Sequence, residues 1–194
     1  AFQRRTAYYG VFNSLSQTLL KYTSPGVPDT YQGCETWNFS LVDPDNRKPV
    51  DYSRLQQMLD EIKQCLQQDY QGLLRQFIQN PQDERIKLFL TYMTLNFRLS
   101  HQSLFKNGDY PVLTAVGDQA RHVCAFRRSF GDEQVLIIAP TLVVALTRGV
   151  ERMPIGGEVW MNTRLSLDDA PPGQQYRNIL TGEVLTVEGA QRRE

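Results

Sequence analysis

Between Asp29 and Tyr52, carboxylates alternate with aromatic rings. Asp29, Glu35, Asp43, Asp45 and Asp51 stand among Tyr31, Trp37 and Tyr52, with Asn46 and Arg47 beside them. Carboxylates hydrogen-bond sugar hydroxyls, rings pack on the apolar faces of pyranoses, and a carboxylate pair supplies the acid and nucleophile of glycosidic chemistry. The same residue types also build plain polar loops, in which Asp and Asn cap turns and Arg47 closes a salt bridge. On residue types alone both readings stand.

Other chemistry finds less support. Nucleophilic catalysis needs a base beside its nucleophile, and the chain has 2 histidines. His101, in Arg-Leu-Ser-His-Gln, reads as a surface or helix-capping residue, and His122 opens a strand beside Val123 and Cys124. Cys34 has nothing basic near it in sequence and reads as a packed thiol. No glycine-rich phosphate cradle and no EF-hand spacing occurs, so neither a nucleotide-phosphate site nor a metal site is expected.

The elements that must position the loop follow from periodicity. Tyr8, Val11, Phe12, Leu15, Leu19 and Tyr22 recur at helical spacing, so a helix is predicted from Phe2 to Tyr22, stopped by Pro25-Gly26. Val27 to Tyr31 reads as a short buried strand or extended segment and 38–52 as a loop. A second helix is predicted from Ser53 to Ile78, and Asn80-Pro81 with Asp83 and Glu84 signals the start of a third, reaching Ser100. After Asn107-Gly108-Asp109 the pattern turns to strands: Tyr110–Val116, His122–Phe130, Gln134–Ala139, Glu158–Leu167 and Arg177–Val187. The fold class is therefore α+β, with a mostly helical 1–107 followed by an antiparallel β-sheet or sandwich in 108–194.

Bulk composition sets outer limits. At 194 residues, 41% hydrophobic and 22% charged, the chain has the make-up of an ordinary globular protein. Its 21 basic and 21 acidic residues cancel, which argues against nucleic acid or an anionic membrane as partner. The pairs Arg4-Arg5, Arg127-Arg128 and Arg192-Arg193 read as surface solvation. Three widely spaced cysteines, Cys34, Cys65 and Cys124, fit a reduced, cytoplasmic compartment. No apolar run approaches the roughly 20 residues of a membrane span. An Ala-Phe-Gln-Arg-Arg start without methionine points to a piece of something longer.

One stretch is more specific. The run TSPGVPDTYQGCETW resembles the end of the catalytic barrel in the alpha-amylase family, where P-G-x-P-x-x-Y-x-G-x-E forms the eighth strand and its following loop. Its flanks, SLSQTLLKYTSPGVPDTYQG and FSLVDPDNRKPVDY, are similar to the maltooligosyltrehalose synthase family. ERIKLFLTYMTLNFR, LFKNGDYPVL, GEVWMNTRLSL and YRNILTGE extend the likeness over nearly the whole chain.

The resemblance implies the helical end of a (β/α)8 barrel (last strand and final helices), then a C-terminal β domain. It implies transglucosylation within a malto-oligosaccharide, the α-1,4 bond at the reducing end becoming α,α-1,1, with no cofactor. The family uses a nucleophilic Asp, a Glu acid/base and a second Asp that follows a His. No His-Asp pair occurs here, so no catalytic residue is assigned and the isolated chain is expected to be inactive. Substrate contact is expected from Tyr31, Glu35, Trp37, Asp43, Asp45, Asn46 and Arg47, with malto-oligosaccharide the partner of the full-length enzyme. Loss of the barrel neighbours makes either partial disorder before about Asp51 or a dimer through the exposed remnant an expectation. Two alternatives stay open. One is a stand-alone carbohydrate-binding or scaffold module presenting Tyr110, Trp160 or Tyr176. The other is part of another α-glucan-active barrel enzyme, a glucanotransferase or glucosidase.

Overall fold

The computed structural model describes residues 2–167 and 170–188; the Arg192-Arg193 pair lies outside them. The first helix, α1 (Phe2–Thr23), forms where periodicity placed it and buries Tyr9, Phe12, Ser16 and Tyr22. Of the two readings for the next segment, the buried strand is not formed. Val27 to Tyr31 carries no regular structure and pairs with no strand among the described residues, and Val27 is 96% exposed. A strand needs a partner edge, and Pro28 has no N–H to offer one.

The long helix predicted from Ser53 to Ile78 is two helices, α2 (Tyr52–Gln68) and α3 (Tyr70–Gln79). Asp69 makes the break: its N–H closes α2 on Cys65 O, and its carboxylate accepts the Gly72 N–H at 2.8 Å to open α3. The start signal at Asn80-Pro81 is also displaced. Asn80 ends α3, and α4 (Arg85–Ser100) begins after a turn in which Asp83 accepts the Arg85 N–H at 2.9 Å. His101 caps the C-terminus of α4, and a short α5 (Gln102–Asn107) follows. Ile62, Leu73, Phe77, Ile86, Leu88 and Phe89 form the main core, with Leu15 of α1 against it. Each such side chain contributes roughly 1.5–3 kcal/mol by leaving water.

Among the described residues the β part is slighter than a sandwich: three separate two-stranded antiparallel ladders. β1 (Ala115–Val116) pairs with β4 (Arg164–Leu165). β2 (Val123–Phe130) and β3 (Glu133–Pro140) form a full hairpin, from Phe130↔Glu133 to Val123↔Pro140. β5 (Gln175–Arg177) pairs with β6 (Val184–Thr186). The strand expected at Tyr110–Val116 is interrupted because Pro111 cannot donate. Its backbone still runs along β2, through Asp109 N–Ser129 O and Leu113 N–Ala125 O.

Two helical turns, α6 (Val143–Leu146) and α7 (Gly157–Trp160), join the ladders. The second replaces the first half of the strand expected at Glu158–Leu167. Gly156, at φ +84°, turns the backbone there, and the Trp160 indole closes on Pro154 O at 2.8 Å. β3 packs on α1, where Ser16 Oγ donates to Pro140 O at 2.8 Å. The Arg127-Arg128 pair is not a surface pair: Arg128 is 1% exposed.

Candidate functional site

The acid-bearing loop folds back on itself. Asp45 to Arg47 form a 3₁₀ turn after a cis Asp43–Pro44 peptide. The Arg47 guanidinium donates to Asp43 Oδ2 at 2.9 Å, and its Nε contacts the other carboxylate oxygen. Lys48 pairs with Asp45, whose second oxygen accepts the Leu41 N–H at 2.8 Å. The bond from Lys48, then that from Leu41, holds the Asp45 carboxyl below its ordinary pKa. Asp43 and Asp45 are thus each answered by a cation of their own loop, an arrangement suited to shaping a surface.

A second anchor comes from α4. Lys87 Nζ donates to Thr36 O at 3.1 Å and lies 5.8 Å from the Trp37 ring centre. Burial pushes its pKa down, Cys34 and Glu35 partly opposing and Lys21 assisting. Trp37 Nε1 donates to Gln82 O at 2.9 Å, so the indole is fixed from both sides. Glu35 Oε2 is buried without a hydrogen-bond partner among the described residues, as is Asn46 Oδ1. At the loop entrance Arg98 donates to Tyr22 O and Gly26 O, and Tyr22 Oη meets Thr30 Oγ1 at 3.2 Å.

Of the seven residues chosen from sequence, Trp37, Asp45 and Asn46 line one cleft of about 430 Å³, with Phe39, Lys48 and Arg54. Tyr31, Glu35, Asp43 and Arg47 do not line it. Tyr31 stands outside, 49% exposed. Lys87 and Arg54 escaped sequence reasoning because each reaches the loop from a helix. Phe39 was legible as an aromatic two residues after Trp37, in the same alternation of rings and polar groups.

The remaining candidates are held by structure. His122 is 1% exposed, its Nδ1 facing Thr141 O at 3.1 Å and its Nε2 receiving Arg121 Nε at 3.1 Å. His101 faces Glu133 and stacks on Phe97. Tyr110 packs on Phe126 at 4.5 Å, Trp160 is tied to Pro154, and Tyr176 is half-buried. They sit on separate elements rather than forming one aromatic platform. Among the described residues no His, Cys, Asp and Glu group could hold a metal ion, and no helix is long and apolar enough to cross a membrane.

No protein-family model matches the chain. It is 36% identical over 170 residues to proteins of two Mycobacterium tuberculosis strains described as putative maltooligosyl trehalose synthase, covering 88% of this chain and 17% of theirs. Among solved structures, maltooligosyltrehalose synthase from Arthrobacter ramosus superposes with a TM-score of 0.64 at 31% identity, covering 94% of this chain and 20% of that one. A hypothetical maltooligosyl trehalose synthase of Sulfolobus tokodaii gives 0.55 at 26%, covering 96% and 21%. The chain therefore spans about a fifth of the length of the relatives it matches, a coverage consistent with a C-terminal fragment.

Proposed function

We propose, from homology to maltooligosyltrehalose synthases over nearly its whole length, that the chain is the C-terminal part of an enzyme of trehalose biosynthesis. That enzyme isomerises the reducing-end α-1,4 bond of a malto-oligosaccharide to α,α-1,1. The observation that carries this reading is that curated sequence relatives and solved structures agree on one family across 88% and 94% of the chain. In this reading residues 1–107 close an alpha-amylase-type barrel and 108–194 form the domain behind it. The loop from Tyr31 to Arg47 covers the substrate face. Its contribution is to hold sugar hydroxyls and exclude water, so that the released glucose rather than water attacks. Free thiols at Cys34, Cys65 and Cys124 fit a cytoplasmic setting.

The test is a chimera in which this chain replaces the matching section of the Arthrobacter ramosus enzyme. With maltopentaose as substrate, reducing-end anomeric NMR signals disappear for the chimera and persist for the enzyme lacking the section. A soluble, folded chimera that leaves them intact overturns the reading. The isolated chain leaves them intact too, because none of the family's three acids falls on its residues. We also propose a dimer through the apolar face left open between α1, α3 and β3. It is checked by sedimentation velocity across a concentration series, where a single unchanging monomer would refute it.

A further inference from the structure

The loop cleft does not stop at the loop. It shares Trp37, Phe39 and Arg54 with a second cleft of about 580 Å³, which runs outward between α2 and the turn that precedes α4. Charges bordering this outer cleft are paired within the protein. Arg54 contacts Glu84, while Arg85 meets Asp83 at 2.7 Å and Glu61 at 3.7 Å. An anion meets no unengaged guanidinium there, and a cation no unengaged carboxylate.

What the cleft offers instead is neutral. The side-chain amides of Asn80 and Gln82 are exposed and make no hydrogen bond to another of the described residues. Gln57 uses its Nε2 on Glu61 at 3.2 Å and leaves its carbonyl oxygen open. Two rings complete the lining. Trp37 is already fixed by Gln82 O and Lys87, so stacking on it costs little further ordering. Phe39 is 81% exposed, an apolar ring left to water. Rings that stack, amides that both donate and accept, and no unpaired charge suit a neutral, hydroxyl-rich ligand.

We propose that the outer cleft binds a segment of α-1,4-linked glucan. Trp37 and Phe39 take the apolar faces of glucose rings, and Asn80, Gln82 and Gln57 take hydroxyls. The cleft volume lies within the roughly 300–1,000 Å³ of small-molecule sites. The ligand class rests on the isomerase reading above. Because the two clefts meet at Trp37, a long oligosaccharide spans both and a short one fills only one, so affinity rises with chain length.

The two tryptophans supply the probe. Trp37 Nε1–H points at the cleft turn and Trp160 Nε1–H at Pro154, so their indole signals report separately. Proton–nitrogen NMR of the labelled chain titrated with maltoheptaose moves the Trp37 indole signal and leaves that of Trp160 in place. Maltotriose binds more weakly than maltoheptaose. Phe39→Ala, which removes an exposed ring and keeps the fold, raises the Kd for maltoheptaose roughly two- to tenfold. An unmoved Trp37 signal, an equal response to the β-linked cellohexaose, or an unchanged Kd in Phe39→Ala overturns the assignment. An active chimera with an unmoved indole retires the cleft alone. A binding cleft in an inactive chimera retires the isomerase and keeps glucan recognition.

Discussion

At the scale of single residues, Arg128 carries the heaviest structural duty. From β2 its guanidinium donates to the carbonyls of Asp109 and Phe105 at 2.9 Å, Gly108 at 3.0 Å, Thr23 at 3.3 Å and Leu104 at 3.4 Å. Those of Thr23, Phe105 and Gly108 lie at the ends of α1 and α5, where a helix leaves carbonyls unanswered and its dipole is negative. Each buried acceptor left unmet costs about 1–3 kcal/mol. Arg128→Met is therefore expected to lower unfolding free energy by at least about 3 kcal/mol in urea titration. Arg128→Lys recovers only part, because an ammonium cannot span a fork of carbonyls. Asp45 is the residue with a pH signature. Its folded pKa lies below the ordinary 3.8, so its contribution is complete above that value and is lost as pH falls through the folded pKa. The Leu41 amide signal should titrate with a midpoint below 3.8, and Asp45→Asn should abolish that titration.

At the scale of elements, the junction of α2 and α3 shows how one side chain overrides a pattern. Apolar spacing runs on through Leu66, Leu73, Leu74 and Phe77, and periodicity alone reads a continuous helix. The Asp69 carboxylate captures the Gly72 N–H and restarts the helix instead. A Cβ at Gly72 would sit 1.9 Å from Asp69 Oδ2, so the cap requires glycine there. Alanine favours a helix interior by about 1 kcal/mol over glycine, yet Gly72→Ala is expected to destabilise, since it expels the cap. The loss should match that of Asp69→Ala, about 1 kcal/mol by thermal unfolding, and a stabilised Gly72→Ala would refute the account. The β2–β3 hairpin needed no such correction. Its alternation and the Gly131-Asp132 turn, with Gly131 at φ +58°, both lie within a short stretch of chain.

At the scale of the molecule, an apolar cleft of about 800 Å³ opens between α1, α3, α4 and β3, with Leu15, Leu19, Leu74 and Ile138 among its walls. Leu180, from the turn before β6, packs back onto the helical core beside it. Replacing Leu74, half-buried at this face, by Glu should disperse any self-association without unfolding the chain, as read by sedimentation velocity and circular dichroism.

The sequence by itself determined α1, α4, the β2–β3 hairpin and the polar character of the loop, because each is written in neighbouring residues and a local period. It also carried the family, through the run from SPGVPDTYQG to VDPDNRKPVDY. Only the tertiary structure decided which acids are engaged, that Arg128 is buried, and that Lys87 and Arg54 reach the loop. Val27 to Tyr31 stayed unpaired for the same reason. Burial and pairing depend on partners tens of residues away, Thr36 with Lys87 and Thr23 with Arg128. A local pattern fixes which face of an element is apolar, but only packing fixes what that face meets.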